Sequence, residues 1–213
     1  MSFGIICFDC DSTLSRIEGI DELAGRVGLG EAMAKLTDAA MNGEVPLEAV
    51  YEKRLSLIRP DSDSIDWLAG LYITEMVEGV ADVFSALAAH DKEVHIVSGG
   101  LRQAILPLAS FLGLPESRVH AVDIYFNDDG SYRDFDQTSP LARTGGKAQI
   151  CRDLKRPESR LLMIGDGKTD MEARQEGVSV IGFGGVAARP VVRELADHFV
   201  EGPSLASVLA HIL

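Results

Sequence analysis

Phe3-Gly4-Ile5-Ile6-Cys7-Phe8 runs directly into Asp9-Cys10-Asp11-Ser12-Thr13. An apolar run without alternation suits a strand covered on both faces, as in a parallel sheet. The abrupt change to acids and hydroxyls marks its carboxyl end, the place where open parallel sheets bind ligands. Runs of the same kind follow at Val94-His95-Ile96-Val97, Leu161-Leu162-Met163-Ile164, Val178 to Ile181 and, more weakly, His198-Phe199-Val200. Helical stripes separate them. Val80, Val83, Phe84 and Leu87 precede the second run, and Leu101, Ile105, Leu108 and Leu112 follow it. Strands alternating with helices predict a βαβ succession and a parallel sheet with helices on both faces.

Two segments break the alternation. From Ser15 to Glu75 only helical periodicity is present. Its stripes are Ile17, Ile20, Leu23, Ala24 and Val27; Met33, Leu36, Ala40 and Met41; and, after Pro46, Leu47, Val50, Tyr51, Leu55 and Ile58, closed by Pro60. This is too long for a simple crossover and predicts a small helical cap inserted after the first strand. The second segment, Val119 to Phe126 and Tyr132 to Phe135 around Asn127-Asp128-Asp129-Gly130, predicts a hairpin with its glycine at positive φ. Leu205, Val208, Leu209 and Ile212 predict a closing helix.

The composition sets the boundaries of the reading. The 213 residues are 46% hydrophobic and 25% charged, ordinary for a globular chain that buries about two-thirds of its unfolded surface. A net charge of −13 argues against non-specific nucleic-acid binding and against anionic membrane surfaces. No apolar run approaches the roughly 18 residues of a membrane span. The N-terminal run lacks a basic flank and breaks at Asp9, unlike a signal peptide. Three cysteines, an odd number, suit a reducing compartment, so the expectation is a cytoplasmic protein.

Three strand ends carry unusual residues: Asp9 to Thr13, Ser98-Gly99-Gly100, and Gly165-Asp166-Gly167-Lys168-Thr169-Asp170. Lys147, after Thr144-Gly145-Gly146, opens a helix before the third. Any one ending could be a polar cap; three on one sheet edge predict a site. Asp9, Asp11, Asp166 and Asp170 would crowd there, and two like charges about 4 Å apart repel by roughly 4 kcal/mol at an effective dielectric near 20. Protons or a cation must neutralise them. With oxygen ligands and no His or Cys set nearby, the ion expected is Mg²⁺. Ser98, Gly99 and Gly100 are expected where a helix begins, with backbone N–H groups that favour an anion. Lys147 would then clamp a phosphate and restrain a nucleophile. One carboxylate can attack phosphorus while a second, two residues on, protonates the leaving oxygen and later deprotonates water.

These residues carry a family resemblance. Asp9, Asp11 and Thr13 form an Asp-x-Asp-x-Thr signature; Ser98 and Lys147 follow; Gly165, Asp166 and Asp170 close the set as Gly-Asp-x-x-x-Asp. On them the chain is identified as a member of the haloacid dehalogenase superfamily of aspartyl-phosphate phosphatases. Along most of its length, through Glu18-Gly19-Ile20-Asp21-Glu22-Leu23-Ala24 and Ile181-Gly182-Phe183-Gly184-Gly185 as well, it resembles the phosphoserine phosphatase family. The resemblance implies an α/β fold: a Rossmann-like, three-layer α/β/α parallel-sheet core over residues 1–14 and 76–213, a helical cap over 15–75, and a hairpin insertion. It implies that Asp9 becomes the phosphoaspartate and that Asp11 is acid, then base. Mg²⁺ would be held by Asp9, the Asp11 backbone carbonyl and Asp166, with Asp170 supporting. Ser98, Gly99, Gly100 and Lys147 would hold phosphate. In the cap, Glu18 would take a substrate ammonium and Arg54 its carboxylate, with Met41 packed beside them and Thr169 lining the site. The implied reaction is dephosphorylation of O-phosphoserine in serine biosynthesis, by a monomer or homodimer.

The residues themselves support part of the cap assignment. Arg54 sits on the apolar stripe with Leu47, Val50 and Ile58, and a guanidinium on a buried face wants an anion, either substrate or a cap salt bridge. Glu18 just precedes its stripe, where a helix dipole also favours an acid. Leu47 stands where the family often has an aromatic, and Asn42 where glycine is common. These departures leave open another small phosphomonoester, or transfer of phosphate to an acceptor alcohol. A phospho-accepting signalling domain shares the acid cluster but has no use for Asp11 or a cap. Cys7 and Cys10 straddle strand and loop and do not read as a redox pair.

Overall fold

A computed structural model describes residues 3–42 and 44–213 and places β1 (Phe3–Phe8) near the middle of a six-stranded sheet. On one side lie β2 (Glu93–Leu101) and then β3 (Val119–Val122). On the other lie β6 (Arg160–Gly165), β7 (Ser179–Phe183) and β8 (His198–Val200). Every pairing in this sheet is parallel. Ile6 pairs with both Val94 and Leu162, and Phe8 with Ile96 and Ile164. Asp9, Ser98 and Asp166 therefore emerge within two residues of one another at one edge. The chain winds outward from β1 to β3 and then returns to lay β6 on the other flank of β1. The β1/β6 gap is thus the switch point, where a crevice opens.

Ile5, Ile6, Phe8, Ile96 and Ile164 are fully buried, as continuous apolar strands require. Burial of each such side chain contributes about 1.5–3 kcal/mol. The sheet's helices include α5 (Val80–Ala89), α6 (Arg102–Phe111) and α7 (Gly146–Leu154). Between β1 and α5 lie four helices: α1 (Gly19–Arg26), α2 (Gly30–Met41), α3 (Leu47–Ile58) and α4 (Ser62–Thr74). Both ends of this insertion meet, with Arg16 N–H donating to Glu75 O at 2.8 Å and Val77 N–H to Leu14 O at 2.9 Å. The last helix differs from the others in its support. It lies along α6, a helix of the sheet layer, and it buries Ile65, Leu68, Ala69 and Tyr72.

Two expectations are corrected. The stretch Val119 to Phe126 is not one hairpin arm. Val119–Val122 joins the main sheet beside β2, and only β4 (Ile124–Phe126) pairs antiparallel with β5 (Tyr132–Phe135), around Gly130 at φ 81°. The chain changes sheets at Asp123, held by Gln103, whose amide donates to Asp123 Oδ1 at 3.1 Å and accepts from Ile124 N–H at 3.1 Å. Second, Ser98-Gly99-Gly100 does not open a helix. The register slips between Val97 and Leu101, β2 resumes pairing at Leu101 with Val122, and α6 starts only at Arg102. The closing segment is a short 3-10 turn at Leu205–Val208 leading into a helix at Leu209–Ile212. Among the described residues, no helix is long and apolar enough to cross a membrane.

Candidate active site

Asp9 leaves β1 at the switch point and is buried. Its Oδ1 accepts from Cys10 N–H at 2.8 Å, and Lys147 Nζ lies 2.7 Å from its Oδ2. The same ammonium lies 2.7 Å from Asp170 Oδ1. Lys147, on the first turn of α7, thus ties the nucleophile candidate to the loop after β6. Burial alone would depress the Lys147 pKa, but Asp170 and Asp9 more than reverse this and hold it charged. Asp166 and Asp170 descend from the end of β6. Oxygens of Asp9, Asp166 and Asp170 all lie within 4.8 Å of one another. Gly165 permits this approach, since a Cβ there would fall 2.1 Å from the Asp170 carboxyl carbon. Thr13 Oγ donates to Asp166 Oδ1 at 3.3 Å, and Gly167 N–H to Asp170 Oδ2 at 3.0 Å.

Asp11 points elsewhere. Its Oδ1 accepts from Gly19 N–H at 2.6 Å and from the Tyr72 hydroxyl at 2.7 Å. Its Oδ2 faces Ser98 Oγ at a long 3.5 Å. Burial, then the Asp9 charge, push the Asp11 carboxyl up to about 6. The same two causes push Asp166 up to about 7 and Asp170 up to about 8. Glu18 also stands well above the usual carboxylate range, through burial and the charges of Asp11 and Asp166. Among the described residues, these five acids face Lys147, Arg54 and Arg189 as cations. The excess negative charge is what a metal ion or a cationic substrate group would relieve.

One cavity joins Asp9, Asp11 and Lys147 to Glu18, Met41, Leu47 and Arg54 of the inserted helices, and Gly99, Gly100 and Thr169 also line it. Arg54 is 3% exposed. One of its terminal nitrogens donates to Thr37 Oγ at 3.0 Å, and Thr37 in turn donates to Asp21 at 2.7 Å. Its buried Nε has no partner among the described residues, and neither does the Thr169 hydroxyl. The cap salt bridge left open for Arg54 is not formed among the described residues. Glu18 accepts from Ser12 Oγ at 2.7 Å. Tyr51, from α3, donates to Gly99 O at 2.8 Å and so bolts the inserted helices to the Ser98-Gly99-Gly100 segment.

Three participants escape a sequence reading. Arg189 reaches Asp166 at 3.3 Å, Asp38 at 3.0 Å and Glu18 at 3.8 Å, joining core to insertion. It follows the carboxyl end of β7, so the strand-end rule that exposed the acids could have found it. Thr37 and Tyr72 carry no such signal. Each lies on a helix among apolar neighbours and reads as core.

The family model for haloacid dehalogenase-like hydrolases matches residues 3–176 of this chain. The phosphoserine phosphatases of Homo sapiens and Bos taurus are 38% and 36% identical to it over 197 residues, covering 92% of this chain and 88% of each relative. A solved structure described as a phospho-aspartyl intermediate analogue of phosphoserine phosphatase is 27% identical and superposes with a TM-score of 0.84 over 100% of both chains. A family model spanning most of the chain, and relatives matched over nearly their whole length, lead to one conclusion: the chain belongs to the haloacid dehalogenase-like hydrolases, in the phosphoserine phosphatase family.

Proposed function

We propose that this enzyme hydrolyses O-phospho-L-serine to L-serine and phosphate through an aspartyl phosphate on Asp9. The observation that carries the reading is Arg54, a buried guanidinium with an unpartnered Nε lining the same cavity as Asp9. A donor left bare there is costly until an anion fills it. Glu18, its pKa raised by burial and by neighbouring acids, lines the same cavity. A cation and an acid beside a phosphate site match the carboxylate and ammonium of an amino acid. Met41 packs beside them, and Thr169 supplies a further free hydroxyl.

An Asp9 oxygen attacks phosphorus, and the P–O bond electrons leave on the seryl oxygen, which takes a proton from Asp11. Asp11, now ionised, accepts a proton from the water that attacks the aspartyl phosphate, releasing phosphate and freeing Asp9. Lys147 pairs with Asp9 and orients it and, with Ser98, Gly99 and Gly100, holds the phosphoryl oxygens. The Asp9, Asp166 and Asp170 oxygens form a hard donor set that fits Mg²⁺; Asp9, Asp166 and the Asp11 backbone carbonyl would hold the ion, with Asp170 supporting. Bound there, Mg²⁺ would neutralise charge on the phosphoryl oxygens. Residues 15–75 act as the cap that excludes water. Three buried unpaired thiols suit the cytoplasm.

A panel of small phosphomonoesters, scored for phosphate release, tests the substrate. O-phospho-L-serine is expected to lead by kcat/KM, with serine and phosphate formed in equal amounts. Another ester ahead of it, or phosphate missing because it went to an acceptor alcohol, overturns the assignment. Exhaustive chelation should abolish turnover and added Mg²⁺ restore it; undiminished activity under chelation removes the metal.

A further inference from the structure

Tyr72 is 0% exposed. A buried phenol hydroxyl needs a partner, and the hydrogen bond it makes is to Asp11 Oδ1, at 2.7 Å. It comes from α4, the inserted helix that lies along α6. Gly19 N–H reaches the same oxygen from α1 at 2.6 Å. A carboxylate oxygen has two lone pairs, and two donors occupy both. A proton on Oδ1 would face those donors head-on. Among the described residues, Oδ2 has only the long contact to Ser98 Oγ, and it lies against Gly100, where an added Cβ would sit 2.9 Å away. That is the side on which the phosphoryl group is expected.

We propose that Tyr72 is the positioning residue for proton transfer: with Gly19 N–H it loads Asp11 Oδ1 and so assigns the transferable proton to Oδ2. In the first half-reaction the Oδ2–H bond breaks, its proton passes to the seryl oxygen as the P–O bond breaks, and Asp11 is left as the carboxylate. In the second, Oδ2 takes a proton from the attacking water. Tyr72 itself neither gains nor loses a proton. The inference rests on the roles proposed for Asp9 and Asp11.

The sequence environment supports this arrangement. A Cβ at Gly19 would lie 2.2 Å from the Tyr72 hydroxyl oxygen and 3.3 Å from Asp11 Oδ1. Glycine at 19 is what allows the backbone N–H and the phenol to share one oxygen.

The test compares O-phospho-L-serine, whose alkoxide leaving group needs a proton, with acetyl phosphate, whose acetate does not. Wild-type kcat/KM for both is measured first, which checks the substrate proposal separately. Tyr72→Phe is expected to lower kcat/KM for phosphoserine roughly 10- to 100-fold, a part of the roughly 10²–10⁴-fold that a general acid contributes when fully in place, and for acetyl phosphate less than about 3-fold, because its leaving group needs no proton. Thermal unfolding of each variant confirms an intact fold. Gly19→Ala reaches the same bond from the other side, by displacing the phenol, and keeps the test alive if Tyr72→Phe folds poorly. It should show the same substrate split, and the double variant should lose less than the product of the two single losses. Equal losses on both substrates, no loss on either, or independent effects of the two substitutions would overturn the proposal.

Discussion

Two clusters of titratable side chains sit at opposite ends of one sheet, and they solve burial differently. At the amino end, Glu93 lies 2.9 Å from His95, and Arg156 grips Glu93 with two contacts at 2.8 and 2.9 Å. The other ring nitrogen of His95 meets His120 at 3.0 Å, with the rings stacked at 5.2 Å. Charge is matched there and each group has a partner. At the carboxyl end, acids outnumber cations, and an Arg54 nitrogen and the Thr169 hydroxyl have no partner among the described residues. Burial moves pKa values at both ends. It pushes His120 down to about 4, helped by His95 and Arg102, and Asp170 up to about 8, helped by Asp9. Shifted titration alone therefore does not separate a site from a scaffold. Unmatched charge beside a cavity does.

The comparison breaks first at Asp9. Asp9→Asn should cut turnover on the order of 10⁴-fold or more, as losing a nucleophile does, while circular dichroism and cooperative unfolding persist. Normal turnover would show that the unmatched charge at this end serves no covalent chemistry.

Arg54→Ala sharpens the claim about unpartnered donors. Phosphoserine should lose on the order of 100-fold in kcat/KM, the scale of losing one side of a buried charge-assisted contact. Phosphoethanolamine, which lacks the carboxylate, should change far less. Equal losses would make Arg54 a structural residue like Arg156.

The smallest effect belongs to the matched cluster. The folded His120 pKa lies below its unfolded value near 6.5, so protonation favours unfolding. Stability from this group is full above about pH 6.5 and is lost as pH falls toward 4. Allowing for partial solvent contact, the loss is about 1–2 kcal/mol. In urea titrations at pH 7.5 and 4.5, His120→Gln should lose less stability on acidification than the unsubstituted protein. Parallel losses would show that the histidine pair is not strained by charge.

What the amino-acid order determined by itself is local. Unbroken apolar runs dictate strands covered on both faces, period-3.6 stripes dictate the inserted helices, and Asn127 to Gly130 dictates a turn. Asp9, Ser98, Lys147 and Asp166 were legible because parallel strands end at a common edge, so residues distant in sequence converge by rule. Tertiary structure alone decided where Val119 to Phe126 divides, because that depends on the edge of β2 being open for one more strand and on Gln103 holding the change of direction. It alone decided that Ser98 to Gly100 stay in the strand, since the slipped register restores pairing at Leu101. It alone joined Tyr72 to Asp11 and Thr37 to Arg54. A tyrosine or threonine on a buried helical face carries no local mark of its partner, and only packing α4 against α6 brings that hydroxyl 2.7 Å from the carboxylate.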